Sequence, residues 1–239
     1  MDATEYVVIA IVTLGGLMRG ITGFGGAMLM APLLSALLGP VATVLIALFL
    51  EASAGLIMVP EAWPKFDGKM LSYLILPACI TVPIGGHLLL NLDPAITRKA
   101  IAILVVVFSV VLLCGFRYSG QPRPATSIVL GSMLGLLLGA TSVGAPPVIL
   151  YLLAGPSPPA VTRANLTVLV TVVSCIGVVM LLLAGAVTAQ FATHAALLAI
   201  PYLAATWIGG HVFARLNDFG ARRVALGLTL ISGLAGLVA

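Results

Sequence analysis

The chain has 239 residues, of which 61% are hydrophobic and only 8% are charged, and its formal net charge is +4. A soluble domain carries about a quarter charged residues, so this composition excludes a water-facing surface and predicts a lipid environment. The apolar runs are long and continuous rather than short and alternating, which excludes a β-barrel. We therefore expect an all-α, polytopic helical membrane protein.

The excess of positive charge does not indicate a nucleic-acid partner. The basic residues lie in short loops between apolar runs, where the positive-inside rule accounts for them. The chain begins MDATEYVVIAIV, with Asp2 and Glu5 where a secretory signal would carry basic residues. We interpret this stretch as a first membrane segment rather than a cleaved leader.

Polar breaks divide the sequence into ten apolar segments. Their approximate ranges are 5–22, 25–38, 41–60, 70–91, 98–116, 126–140, 144–155, 161–185, 193–213 and 221–239. The second and seventh segments are too short to cross a bilayer comfortably, so we expect re-entrant half-helices or short tilted spans there. The loop FRYSGQPRP (116–124) marks the centre of the chain. We therefore divide the chain into a first half at 1–117, a connecting loop at 118–125 and a second half at 126–239.

Two sequence blocks recur in both halves. GITGFGGAM (20–28) matches GATSVGAPP (139–147), and PIGGHLLLNLDPAITRKA (83–100) matches WIGGHVFARLNDFGARRV (207–224). Such a repeat is typical of a transporter built from two related halves, with its substrate at their interface.

The loop charges favour inverted repeats over parallel ones. Inverted halves place eight basic residues on one side of the membrane and two on the other, whereas parallel halves place four against six. The eight are Lys65, Lys69, Arg117, Arg123, Arg163, Arg215, Arg222 and Arg223, and the two are Arg98 and Lys99. The positive-inside rule favours the first distribution, with the eight in the cytoplasm and both termini outside.

A glycine-rich stretch after Arg19 interrupts the first apolar run at membrane depth. A helix that stops there leaves unsatisfied backbone groups, so the break must be buried in protein or line a wet cavity. Gly23, Gly25 and Gly26 permit a sharp turn and the close approach of a ligand. The helix that restarts here presents N–H groups and a positive dipole end to an anion. The alternative role of such glycines is close helix packing.

The second half contains a similar break at Thr141, Ser142 and Gly144, followed by two prolines that suit the first turn of a new helix. Two helix tips that meet near the membrane midplane would form a polar pocket. In that pocket we expect backbone N–H groups and the hydroxyls of Thr22, Thr141 and Ser142 to bind an anion.

Ionisable residues at membrane depth are costly, which makes the few present informative. The planar guanidinium of Arg19 suits an anionic head group, or alternatively caps helix-end carbonyls. Glu51 lies inside a span, where it carries a proton, pairs with an arginine or fixes a helix break. Arg163, which is followed closely by Asn165, is either an interfacial residue or reaches the cavity beside Glu51.

The remaining reactive residues do not form a catalytic group. His87 and His211 occupy matching places after the repeated glycines, as symmetric proton sites or as hydrogen-bonded structural residues near the interface. Cys79, Cys114 and Cys175 lie far apart in apolar runs and without metal-ligand spacing. There is no HExxH motif and no phosphate-binding loop. We therefore expect no enzyme activity, no cofactor and no metal.

Four stretches resemble the TauE/SafE family of sulfite and organosulfonate exporters, also called the toluenesulfonate uptake permease family. They are GGLMRGITGFGGAMLMAPLL (15–34), FLEASAG (49–55), GATSVGAPPVILYLLAG (139–155) and RANLT (163–167). Ala145 departs from the glycine that many relatives have before the prolines. The resemblance implies a secondary carrier of sulfur-containing or other organic anions, with two related halves, in a bacterial-type plasma (inner) membrane. It leaves export and uptake both open.

The sequence thus predicts a secondary transporter of small anions, sulfite or organosulfonates, that works by alternating access at a glycine-lined site between two repeats. Arg19 or Arg163 balances the charge of the anion, and Glu51, His87 and His211 are the candidates for proton coupling. A carrier of carboxylates and a membrane-embedded assembly or scaffold protein are the alternatives. Lipid is the expected surrounding partner, and a homodimer is open because small-residue faces serve dimer contacts and internal packing alike.

Overall fold

The computed structural model describes residues 3–115, 123–153, 155, 157–213 and 218–238, and omits the side chains of 159, 189, 190, 212, 213, 218–223 and 225. These residues form ten α-helices and a short 3-10 helix at Trp63–Lys65, with no strand among them. The helices are α1 Ala3–Thr22, α2 Gly26–Leu38, α3 Pro40–Ala62, α4 Gly68–Asn91, α5 Pro94–Leu113, α6 Pro124–Thr141, α7 Pro146–Leu153, α8 Pro159–Leu183, α9 Ala189–Phe213 and α10 Asp218–Val238.

The prediction of a polytopic helical membrane protein is confirmed. Seven of the described helices, α1, α3, α4, α5, α6, α8 and α9, are long and apolar enough to cross a bilayer. Helices α2 and α7 have only 13 and 8 residues, which agrees with the two short predicted segments. Five helices begin with proline, whose fixed φ and missing N–H suit a first helical position.

The most extensive packing joins helices of different halves. Helix α1 packs along α9, α4 along α6, α3 against α8, and α5 against α10. Matching α1–α5 with α6–α10 in order makes α1 equivalent to α6, α3 to α8, α4 to α9 and α5 to α10. The contact of α1 with α9 is then equivalent to that of α4 with α6, and the other two contacts each join a helix to its own equivalent. The repeated glycines lie at these contacts. The Cα of Gly20 abuts Gly209, and Gly139 abuts Val82 and Gly86. Each repeated block therefore packs on the other repeated block of the opposite half.

Helices α3 and α8 cross in antiparallel directions. Near one end of the crossing Leu48 lies against Gly177, and near the other end Gly55 lies against Thr171. Sequence number rises along one helix while it falls along the other, so the two chains run in opposite directions. A side chain on Gly55 would collide with Thr171, and this glycine is therefore what permits the close approach of the two helices.

Helices α5 and α10 are also antiparallel. The hydroxyls of Ser109 and Thr229 share a hydrogen bond of 2.9 Å, and one turn away Gly233 lies against Val105. Both pairs of equivalent helices, α3 with α8 and α5 with α10, are thus antiparallel.

Candidate functional site

The first helix break has the predicted position and a defined turn geometry. Helix α1 ends at Thr22, and Gly23 and Gly25 follow with φ of 77° and 88°, in the left-handed region that favours glycine. The N–H of Gly23 donates to the carbonyl of Arg19 at 2.9 Å. The Thr22 hydroxyl lies 2.8 Å from the carbonyl of Met18, within the turn.

The second break repeats this geometry in the other half. Helix α6 ends at Thr141, and Ser142 follows with φ of 58°, the same left-handed conformation as Gly23. Its N–H donates to the carbonyl of Leu138 at 2.9 Å. The Thr141 hydroxyl donates to the carbonyl of Leu137 at 2.7 Å and accepts from the N–H of Val143 at 3.2 Å. Neither threonine side chain lines the cavity described below, since both hydroxyls are engaged by the main chain of their turns.

Arg19 and Glu51 form an ion pair in the interior. Arg19 is fully buried and Glu51 is 4% exposed. The Arg19 Nε lies 3.1 Å from Glu51 Oε2, at an angle outside the range of a hydrogen bond. Arg19 Nη1 donates to the carbonyl of Gly23 at 2.7 Å. Arg19 thus fulfils the carbonyl-capping role and also supplies the arginine partner considered for Glu51.

The second oxygen of Glu51 holds two further elements in place. Its Oε1 accepts from the N–H of Ala27 at 3.1 Å and from the hydroxyl of Tyr202 at 3.0 Å. Ala27 belongs to the first turn of α2, so the carboxylate lies at the positive end of that helix. One side chain on α3 therefore connects α1, α2 and α9.

A small cavity separates the two breaks. Its lining includes Arg19, Gly25 and Glu51 from the first half and Ser142, Gly144 and Ser174 from the second. The space between the lining atoms, counted with its opening, is about 350 Å³. Only about one or two water molecules fit in its enclosed part, so this part accommodates the oxygens of an anion's head group but not a whole organosulfonate.

Three buried donor atoms of residues that line this cavity have no hydrogen-bond partner. They are Arg19 Nε, Arg19 Nη2 and Ser174 Oγ, and both residues are fully buried. Arg19 Nε faces Glu51 Oε2 at 3.1 Å, and that oxygen also lacks a hydrogen bond. A buried donor without a partner costs about 1–3 kcal/mol, and more for a charged group. The cavity is therefore built to receive a group with oxygen acceptors.

Arg163 and Asn165 lie outside the lining of this cavity. Arg163 Nη2 donates to the carbonyl of Gly20 at 3.3 Å, and its side chain lies against Gly23, so Arg163 covers the first break. The Oδ1 of Asn165 accepts from the N–H of Asp67 at 2.8 Å. That contact fastens the segment between α3 and α4 to α8.

The two predicted histidines lie on the surface of the helices rather than beside the cavity. His87 contacts the amide of Asn91, one turn along α4, and His211 contacts the carbonyl of Trp207, one turn back on α9. Both are exposed. Among the described residues no group of three His, Cys, Asp or Glu side chains is placed to hold a metal ion.

The two helix tips differ in the donors they offer. Gly26, at the start of α2, has no room for a side chain, because an added Cβ would lie 2.8 Å from Glu51 Oε1 and 2.6 Å from the Tyr202 hydroxyl. Helix α7 begins with Pro146 and Pro147, which have no N–H. The start of α2 therefore offers more backbone N–H donors than the start of α7.

Sequence reasoning did not identify Tyr202 or Ser174. Tyr202 is 151 residues from Glu51, and a single tyrosine in an apolar run gives no local indication of its partner. The one available signal was its phenol at membrane depth, since a buried tyrosine hydroxyl usually finds a hydrogen bond. Ser174 lies among small residues that would serve helix packing equally well.

The fold defines a polytopic helical membrane protein with a small cavity between its two glycine breaks, lined mostly by apolar side chains and by a few polar groups. The model of the sulfite exporter TauE/SafE family matches residues 8–236, so the chain belongs to that family. The resemblance predicted from the glycine motifs is confirmed. No curated protein and no solved structure matches the chain. Family membership implies an integral membrane transporter of sulfite or related sulfur anions.

Proposed function

We propose that this protein is a secondary transporter of small sulfur-containing anions, sulfite or organosulfonates, and that it binds them in the cavity between the two glycine breaks. The observation that carries the proposal is the pair of unpartnered buried donors, Arg19 Nη2 and Ser174 Oγ, in one cavity. Sulfonate and sulfite oxygens are acceptors with delocalised negative charge, which suits a guanidinium.

The remaining groups bring the backbone close to the anion. Gly25 and Gly144 line the cavity without side chains, so the substrate approaches the main chain. Ser142 lines the cavity at the second tip, where its hydroxyl donates to the carbonyl of Thr141 at 2.6 Å. Thr22 and Thr141 support the site indirectly, by holding the two turns in shape. Arg163 braces the first turn through the Gly20 carbonyl.

The substrate reaches both sides of the membrane by alternating access. Inverted repeats permit this motion, because exchanging the conformations of the two halves turns an outward opening into an inward one. The antiparallel crossing of α3 with α8 and of α5 with α10 supports an inverted relation, since parallel repeats would bring equivalent helices together in the same direction. We place the protein in the plasma (inner) membrane of a bacterial cell, with the eight-residue basic side in the cytoplasm.

Flux measurements in proteoliposomes test the proposal. The panel is sulfite, taurine, sulfoacetate, sulfate and a carboxylate of equal size. We expect saturable flux of sulfite or a sulfonate, lost in Arg19→Gln, and a KM about tenfold higher in Ser174→Ala, because a hydrogen bond to a charged group is worth about 1.5–3 kcal/mol. Arg123→Gln is the matched control, since Arg123 is exposed and makes no side-chain cap.

Two results would contradict the proposal. One is an absence of flux for every anion in the panel by a folded protein. The other is unchanged flux in Arg19→Gln. Preferential flux of the carboxylate would instead support a carboxylate carrier.

A further inference from the structure

The cavity already contains an anion that belongs to the protein. The carboxylate of Glu51 faces the Nε of Arg19 and accepts from the Ala27 N–H at the start of α2 and from Tyr202. Of these donors, Arg19 Nε is one that an incoming sulfonate would use. The following inference rests on the proposed function, because it concerns how substrate enters the same cavity.

Like charges conflict in this space. An anion that contacts Arg19 Nη2 and Ser174 Oγ lies a few ångströms from Glu51, because all three residues line one small cavity. At such distances in a protein interior, two negative charges repel by several kcal/mol. The one arginine in the lining cannot neutralise two anions.

Glu51 cannot leave the cavity to make room. It lies between Leu48 and Gly55, the residues of α3 that cross α8, and its Oε1 is held by two other helices. Movement of the carboxylate to solvent would require α3 to separate from α8. Neutralisation in place needs no such movement.

We infer that the charged Glu51 carboxylate competes with the substrate for Arg19, and that each anion is bound and carried together with one proton on Glu51. The proton is added to Oε2, the oxygen that faces Arg19, while Oε1 keeps its bonds to Ala27 and Tyr202. Arg19 Nε is then released, and Oε2–H becomes a donor. The anion meets four donors, namely Arg19 Nε and Nη2, the Ser174 hydroxyl and the Glu51 carboxylic acid. The protein is thereby a proton–anion symporter.

The surroundings of Glu51 are consistent with a single exchangeable proton. The groups that face it are Arg19 on α1, the Ala27 N–H on α2, the Tyr202 phenol on α9 and the neutral Ser174 on α8. Among the described residues that line the cavity there is no second carboxylate and no histidine. A single carboxylate in this lining predicts one proton for each anion.

The first test counts protons on the wild-type protein in lipid nanodiscs. The probe is isethionate, a sulfonate that remains fully ionised from mildly acidic to mildly basic pH. We expect one proton to be taken up from a weakly buffered neutral solution for each isethionate bound, and an affinity that falls about tenfold for each pH unit above neutrality. In Glu51→Gln we expect no proton uptake and no dependence of the affinity on pH. Glu61→Gln, an exposed residue on the same helix, is the control and should match the wild type.

The second test measures accumulation in proteoliposomes. An acidic exterior should drive isethionate inward against its own gradient for the wild type and for Glu51→Asp, which keeps a carboxylate. Glu51→Gln should allow only downhill flux.

The outcomes separate the two proposals. Binding of isethionate by the wild type without proton uptake overturns the inference and leaves the proposed function standing. Proton uptake that persists in Glu51→Gln also overturns it. If isethionate does not bind to the wild type, the inference is overturned, whereas the proposed function fails only if the anion panel also shows no flux.

Discussion

Removal of either partner from the buried Arg19–Glu51 pair should destabilise the protein strongly, whereas removal of both should not. The pair is held at 3.1 Å with both residues at least 96% buried. In Glu51→Leu the guanidinium retains one hydrogen bond, to the carbonyl of Gly23, and no counter-charge in the cavity lining. In Arg19→Leu the carboxylate retains two hydrogen bonds but loses its cation.

The magnitude follows from the burial. Breaking a buried ion pair by removing one partner costs about 3–5 kcal/mol, because the remaining charge is left in a medium of low dielectric. For a chain of this size, a loss of 1 kcal/mol in the free energy of unfolding lowers the midpoint of thermal unfolding by about 2–4 °C. Each single variant should therefore unfold about 6–20 °C below the wild type. The double variant replaces the pair with apolar side chains and should recover most of that loss.

The assay is thermal unfolding of the purified protein in detergent, followed by circular dichroism, for the wild type, both single variants and the double variant. The control is Glu61→Leu, which breaks the exposed pair with Lys65 on the same helix and should leave the midpoint unchanged. Additive losses in the double variant would refute the reasoning, since they would mean that the two charges do not interact. Single variants as stable as the control would refute it as well.

Two further predictions concern the supports of the site. In Gly26→Ala the added methyl group collides with Glu51 and the Tyr202 hydroxyl, so we expect loss of sulfonate flux in proteoliposomes. Gly227→Ala, on a helix position with open space around it, should retain flux, and equal flux in both variants would contradict the contact. Asn165→Ala should lower the stability by about 0.5–1.5 kcal/mol through loss of the hydrogen bond to the N–H of Asp67, measured by thermal unfolding, while substrate affinity stays unchanged; a lower affinity would place Asn165 in the binding site.

The fold could be predicted in detail because its signals are local. Apolar runs, prolines and glycines are read within one helix length, so the helix boundaries at Thr22, Gly26, Thr141 and Pro146 were predicted within a few residues. The geometry of the first break could be predicted for the same reason, because a left-handed turn favours glycine at the position that Gly23 occupies.

The partners within the site could not be predicted, because they depend on packing between distant helices. Three roles were open for Glu51, and the structure combines two of them, pairing with Arg19 and stabilising the start of α2. The sequence predicts that the hydroxyls of Thr22 and Thr141 bind the anion, and it gives no sign of the hydrogen bonds that both make to the main chain of their own helices. Sequence spacing gives no information on whether a hydroxyl points along its own helix or away from it.

The charges of the site break the symmetry of the scaffold. In both halves a helix ends in the same turn, closed by a backbone hydrogen bond. The carbonyl that accepts this bond belongs to Arg19 in the first half and to Leu138 in the second. Both residues line the cavity. Where α3 and α8 cross, the first half contributes Glu51 and the second contributes Ser174. The two breaks thus share one backbone turn, while the charged side chains of the described cavity lining, Arg19 and Glu51, both come from the first half.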